Sequence, residues 1–370
     1  MIVHDDYKLG DPDALETPAM LVFEELVDGN IRTMCELAGG AENLMVHVKT
    51  HKAAAITRKK IDAGVAGFKC ATLKELEMVL EEGGQEAIMA YPLVQQRKVE
   101  RFAALVAAYP EARIHAIVST QLHIDVLGRV AAENQRVLKA MLDLDLGMHR
   151  TGVAPDEAAE ALYRALGEHQ YLEQSGFHMY DGHEHISDPA QRQVAAQRHI
   201  DLGRELKARL EAAGHPVPLM VAGNTFTFAH YARAEGMHGS PGACTYWDIN
   251  YGNSLPDMPF RWAALVLSQV VDRHPQQQTF TTDLGIKAIA GDPPLERRVR
   301  LLGEEGTELI LQNEEHGVFR CQGELPAVGS YVLAVPGHVC PTAIRYPGSY
   351  VIDATGEVID FYPHTARDRQ

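Results

Sequence analysis

The chain has 370 residues, 46% of them hydrophobic and 23% charged, an ordinary globular balance with length enough for two domains or one large barrel plus an appendage. Its 34 basic against 50 acidic residues give a net charge of −16, which argues against nucleic acid or an anionic membrane surface as partner. Five dispersed cysteines without a CxxC pair, no secretion signal in Met1–Tyr7 and no window near the ~18 apolar residues of a membrane span point to a reduced, cytoplasmic protein.

In chain order, residues 1–16 are polar and loop-like, and Thr17–Phe23 is a short apolar strand followed by a helical stretch from Glu24 to Ala38. The apolar run from Leu44 ends at Lys49 and leads into a helix over 53–64. Gly67–Ala71 leads into a helix over 73–82, Ala87–Tyr91 into one ending near Tyr109, and Arg113–Val118 into one near 121–134. Val137–Leu144 precedes a helix over 156–166, Ser175–Tyr180 precedes a long helix of about 189–214, and Pro218–Ala222 follows. Roughly eight strand-then-helix units with short Gly- or Pro-marked connections predict a (β/α)8 TIM-type barrel. The competing architecture is a doubly wound open sheet, and no GxGxxG follows the first strand to support a dinucleotide-binding version of it.

After Pro259 the texture changes. Ala264–Val271, Glu308–Leu311, Tyr331–Val335 and Tyr350–Ile352 are short strands between turn residues, which predicts a β-rich second domain. Residues 25–258 are assigned to the barrel, and residues 1–24 with 259–370 to the β-rich domain, where Thr17–Phe23 could return and pair.

In a parallel barrel the chemistry sits at strand C-termini. Lys49, in Val46-His-Val-Lys-Thr-His-Lys52, ends a buried strand, so its ammonium either snorkels to water or sheds its proton as a Schiff-base lysine must. Arg150, between Gly147 and Gly152, suits a phenolate or carboxylate, or is a surface arginine in a loop. Tyr180-Asp-Gly-His183 could face a ring and supply an acid or base, or could be a polar loop whose Asp188 caps the next helix. Gly223-Asn-Thr225 and Ser240-Pro-Gly242-Ala243 offer the amides and hydroxyls of a phosphate cradle, or ordinary turn chemistry. His338 and Cys340, at i and i+2 on an extended segment, would point to one side and could hold Zn²⁺ with open positions, or be a packed core pair. Glu314-Glu315-His316 lies near enough in sequence to supply supporting groups.

Together, in order and spacing, His47–Lys52, Met148–Gly152, Gly223–Thr225 and His338–Thr342 resemble the D-threonine aldolase / D-serine dehydratase family, over nearly the whole chain from Thr17 to Arg367. The resemblance implies a pyridoxal 5'-phosphate enzyme of alanine-racemase-like fold, with a (β/α)8 barrel and a C-terminal β-rich domain. It implies Lys49 as the Schiff-base lysine and Arg150 near the cofactor's phenolic oxygen. It implies Gly223, Asn224, Thr225, Gly242 and Ala243 around the phosphate, and a divalent metal (Zn, Mn or Mg) on His338 and Cys340. Where alanine racemases have an arginine facing the pyridine nitrogen, this chain reads Ser240, which argues against simple racemase behaviour. The reactions implied are retro-aldol cleavage of a β-hydroxy-D-amino acid, with His183 as base, or dehydration to a keto acid and ammonia, with Lys49 as base. A metal-free racemase is a third reading, and a homodimer is expected from the family.

Overall fold

The structure is a computed structural model that describes residues 1–304 and 306–369; Glu305 and Gln370, both inside the expected β-rich domain, lie outside the described residues. Packing divides the chain into two compact units, one of residues 34–49, 57–242 and 368–370 and one of residues 1–33, 50–56 and 243–367. No described helix is long and apolar enough to cross a membrane.

The first unit is a barrel of eight parallel strands in sequential order: Met45–His47, Gly67–Cys70, Glu86–Met89, Arg113–Val118, Leu138–Asp145, Leu172–Tyr180, Met220–Ala222 and His238–Gly239. A parallel bridge from Leu44 to Gly239 brings the last strand back to the first. That closure excludes the open doubly wound sheet, because a closed sheet leaves no edge. The helices between strands begin where the sequence supplies an acceptor for free amides. Thr72 accepts from Glu75, Thr120 from His123, and Asp188 from Gln191 with Pro189 at the first helical position. Met45, Ile88, Ile117, Met141 and Val221 pack as an apolar layer inside the barrel. Since side chains alternate along a strand, residues two further on face the same interior, and this sets His47 and Asp143 above that layer.

Ala19–Phe23 pairs antiparallel with Ala264–His274 and parallel with Gly348–Ile352 in the other unit, the domain to which Thr17–Phe23 is expected from sequence to return. One strand is new. The eighth stave is the two-residue strand His238–Gly239, too short to show any periodicity. Nor are residues 1–16 merely a loop. Ile2–His4 pairs with Tyr7–Leu9, because Tyr7 and Leu9 are buried in that unit's core.

The second unit is β-rich. Ala264–His274 also pairs with Tyr331–Pro336 and Thr279–Thr282, and the sheet continues through Gly317–Cys321 to Thr307–Gln312 on one side and through Gly348–Ile352 to Val358–Pro363 on the other. Leu21, Phe23, Leu265, Leu267, Leu333, Val335 and Ile352 form its core. The alternate positions of adjacent strands face one another, as a half-buried sheet requires.

Candidate active site

Polar side chains gather where the barrel strands end. Lys69 lies opposite His47, Asp143 opposite His178, and Asp145 opposite Tyr180 in the strand register. Lys69 is 2% exposed, with its Nζ 5.3 Å from the centre of the Tyr180 ring; the guanidinium carbon of the exposed Arg150 stands 4.8 Å from the same ring. Burial, and after it the positive charge of Lys49, pushes the Lys69 amine down to about 7, so it is half neutral at physiological pH. Lys69 was not singled out by the sequence, although it is a lysine inside a buried strand just as Lys49 ends one.

His178 Nδ1 is 2.6 Å from Asp143 Oδ1. Burial first, then Lys69, lowers the His178 pKa; burial opposes the Asp143 carboxylate, but His178 and Lys69 hold it below its ordinary value. The pair is therefore a carboxylate and a neutral imidazole carrying its proton on Nδ1, and His178 Nε2 is buried with no hydrogen-bond partner. Lys49 follows the first stave, half-buried, and its amide donates to His47 Nδ1 at 3.3 Å. Lys52, the alternative lysine, belongs to the β-rich unit, where its carbonyl accepts from the amide of Ala366.

At the seventh stave the Gly223–Thr227 turn is tightly bonded. The Gly223 amide donates to the Met179 carbonyl and the Asn224 amide to Thr227 Oγ1. Asn224 Nδ2 donates to Asp181 and its Oδ1 accepts from Phe226. A side chain at Gly223 (φ +90°) would meet the Tyr231 ring at 2.7 Å. Those groups shape the turn. The Gly242 amide contacts Thr225 Oγ1 at 3.5 Å, and the buried Ser240 Oγ has no hydrogen-bond partner. An orphaned hydroxyl and an orphaned imidazole nitrogen in one barrel fit a bound group with polar atoms of its own, and pyridoxal phosphate has them. Ala243 lies in the β-rich unit, buried in the turn Ala243–Thr245.

His183 follows the sixth stave. Its Nε2 is 3.5 Å from Glu184 Oε1, and it shares a cluster with the buried His199. Gly147, at φ +120°, leaves this ring room, for a side chain there would come within 3.0 Å of His183 Nε2.

In the β-rich unit His338 and Cys340 lie near enough for the sulfur to act on the imidazole, but not on an extended segment. His338 is the extended residue before the short helix Val339–Ala343, and Cys340 lies within it. The acids beside His338 are Asp292, whose Oδ2 is 2.6 Å from Nδ1, and the buried Asp248, which accepts from the Val339 amide at 3.0 Å. Burial lowers the His338 pKa, yet Cys340, Asp292 and Asp248 prevail and raise it to about 9. Glu314 and Glu315, expected from sequence proximity to support this pair, bind Lys287 instead. Imidazole and thiol side by side, with a carboxylate orienting the ring, fit a borderline divalent ion. Thr50 Oγ1 lies 3.2 Å from Cys340 Sγ.

An eight-stranded parallel barrel with its reactive side chains at the strand C-termini, on a chain that also carries a β-rich unit, is the architecture of alanine-racemase-type enzymes. The alanine racemase of Clostridium difficile 630 superposes with a TM-score of 0.72 at 12% identity over 94% of this chain and 99% of that one. Residues 25–249 match the alanine racemase N-terminal domain, and residues 263–352 match a serine dehydratase domain. The chain belongs to the alanine racemase N-terminal domain family and, with its second domain, to the pyridoxal-phosphate lyases that include D-threonine aldolase and D-serine dehydratase. It is 24% identical to D-threo-3-hydroxyaspartate dehydratase of Delftia sp. (strain HT23), over 93% of this chain and 96% of that one. It is 23% identical to 3-hydroxy-D-aspartate aldolase of Paracoccus denitrificans (strain Pd 1222), over 97% and 94%. The crystal structure of D-threonine aldolase from Filomicrobium marinum superposes with a TM-score of 0.88 at 25% identity over 98% and 99%.

Proposed function

We propose that the chain cleaves β-hydroxy-D-amino acids at the Cα–Cβ bond, giving glycine and an aldehyde, with pyridoxal phosphate and a divalent metal. Lys49 supplies the amine that tethers the cofactor. Thr225, Ser240 and Gly242 bind its phosphate on the turn shaped by Gly223 and Asn224, with Ala243 assigned there by resemblance. Arg150 and Tyr180 hold its ring face and phenolic oxygen. When bound, the cofactor supplies an electron sink for the pair released at Cα. His338 and Cys340 would hold the metal, whose chemistry is that of a Lewis acid toward the substrate hydroxyl.

Cleavage needs an acceptor for the hydroxyl proton. The observation that carries this reading is His183, partly exposed beyond the Tyr180 strand, with the Glu184 carboxylate 3.5 Å from its Nε2 to orient the ring. Dehydration to a keto acid and ammonia is the second reading, with Lys49 taking the Cα proton. The thiol of Cys340 favours it, because the metal pair is then His-x-Cys as this family's dehydratases are expected to have. We take the working form to be a homodimer.

Product analysis with D-threonine, D-serine and 3-hydroxy-D-aspartate separates the two. Glycine plus an aldehyde is expected; ammonia plus a keto acid would replace cleavage by elimination. Full turnover after exhaustive chelation would dismiss both lyase readings in favour of a metal-free racemase.

A further inference from the structure

Beyond the sixth stave, three ligand-type side chains converge inside the barrel unit. His183, Glu184 and His199 each offer one atom, and those atoms lie within 4.8 Å of one another. Glu184 Oε1 is central, 3.5 Å from His183 Nε2 and 3.8 Å from His199 Nε2.

The protonation of His199 follows from its neighbours. Arg198 can only donate, and its Nη2 is 3.2 Å from His199 Nε2, so that nitrogen carries a lone pair. The ring proton is then on Nδ1, 3.1 Å from the Tyr231 hydroxyl, which itself donates to Asp181 Oδ2 at 2.9 Å. His199 is 3% exposed, and burial, followed by the charge of Arg198, holds its pKa down to about 4. The ring is neutral at physiological pH, fixed in one tautomer by a tyrosine backed by a carboxylate, and its Nε2 lone pair, which here accepts from Arg198, lies 3.8 Å from Glu184 Oε1. An outer hydrogen bond that fixes a histidine in this way is what metal sites require of their ligands.

We infer that His183, Glu184 and His199 form a site for a divalent ion of the Zn²⁺ class, separate from His338 and Cys340. Two imidazoles and one carboxylate leave further positions open to water. In the structure as it stands Arg198 supplies the opposing positive charge, with its Nη2 3.0 Å from Glu184 Oε1. Its side chain is 66% exposed, so the guanidinium has water to swing into when an ion takes over the charge beside the buried Glu184. An ion on His183 Nε2 displaces the Glu184 contact that orients the ring as a base. On the reading of His183 as base, excess ion therefore inhibits cleavage.

The test is metal content of the full chain after equilibrium dialysis against Zn²⁺, with circular dichroism as the check on folding. Wild type is expected to hold two ions, and the His338→Ala/Cys340→Ala chain to retain one of them. Adding Glu184→Gln or His199→Gln to that double variant should remove the remaining ion. Arg198→Ala should tighten the retained site by about fivefold or more, because the buried Glu184 then loses its competing cation. Loss of all bound ion in the double variant overturns the inference and leaves the proposed function intact. Retention of a single wild-type ion in the double variant, with loss in Glu184→Gln, supports the inference and removes the metal from His338 and Cys340. An ion that survives both Glu184→Gln and His199→Gln lies elsewhere and refutes the site.

Discussion

Replacing Lys69 by methionine should stabilise the barrel, and by an amount that depends on pH. The unfolded lysine keeps its proton to about 10.5, whereas the folded one loses it near 7. Below pH 7 both states are protonated, and the folded protein bears the whole cost of a buried ammonium group, about 5 kcal/mol at most. Between pH 7 and 10.5 the unfolded state binds more protons than the folded, so the contribution of this residue to stability rises with pH, by about 1.4 kcal/mol for each pH step. Methionine has similar length and no charge, so Lys69→Met escapes the cost at every pH. Urea unfolding of the cofactor-free chain, followed by far-UV circular dichroism, should show the variant more stable than wild type at pH 6. That advantage should shrink by about 3 kcal/mol at pH 9. An equal difference at both pH values would mean that Lys69 keeps its proton in the fold. A variant less stable than wild type at pH 6 would mean that the amine is held by favourable contacts that outweigh its burial.

Two further substitutions test the scaffold. In Gly176→Ala, at φ +114° in the sixth stave, the new Cβ would fall 1.7 Å from the Leu219 carbonyl oxygen. The backbone must move, so the chain should lose soluble expression or fall in Tm by tens of degrees, whereas an unchanged Tm would contradict the strand geometry. Asn30 ties the β-rich unit together by donating to the Thr245 and Arg261 carbonyls and accepting from the Arg261 amide. Asn30→Ala should therefore cost about 2–4 kcal/mol in urea unfolding, and a loss under 0.5 kcal/mol would show those groups finding water instead.

Much of the barrel was legible because its staves are apolar runs that alternate with capped helices, a pattern set by local chemistry. Ala19–Phe23 is followed by a helix as a stave would be, yet its place before the barrel strands is enough to expect its return to the β-rich sheet, where its partners lie more than two hundred residues away. Where reading failed, the local signal was absent. His238–Gly239 is two residues long and has no period to read. The clusters behaved likewise. Lys49, Arg150 and His338 stood out through motifs, but Asp292, 46 residues from His338, and His199, outside any motif, become visible only once the fold assembles them. Gly223 and Asn224 were read as donors to a ligand, whereas their amides are committed to Met179 and Thr227, and Ser240 Oγ is among the buried groups without a partner. Lys69 was missed for a different reason. A lysine within a strand reads as a surface residue until the opposite wall of the barrel is known to cover it.

The central claim is that the amine of Lys49 carries the cofactor, and borohydride reduction of the holoenzyme followed by peptide mapping tests it most directly. The account predicts one pyridoxyl adduct, on the peptide containing Lys49, and none in Lys49→Ala. An adduct on Lys69 or Lys52, or an undiminished adduct in Lys49→Ala, would contradict it.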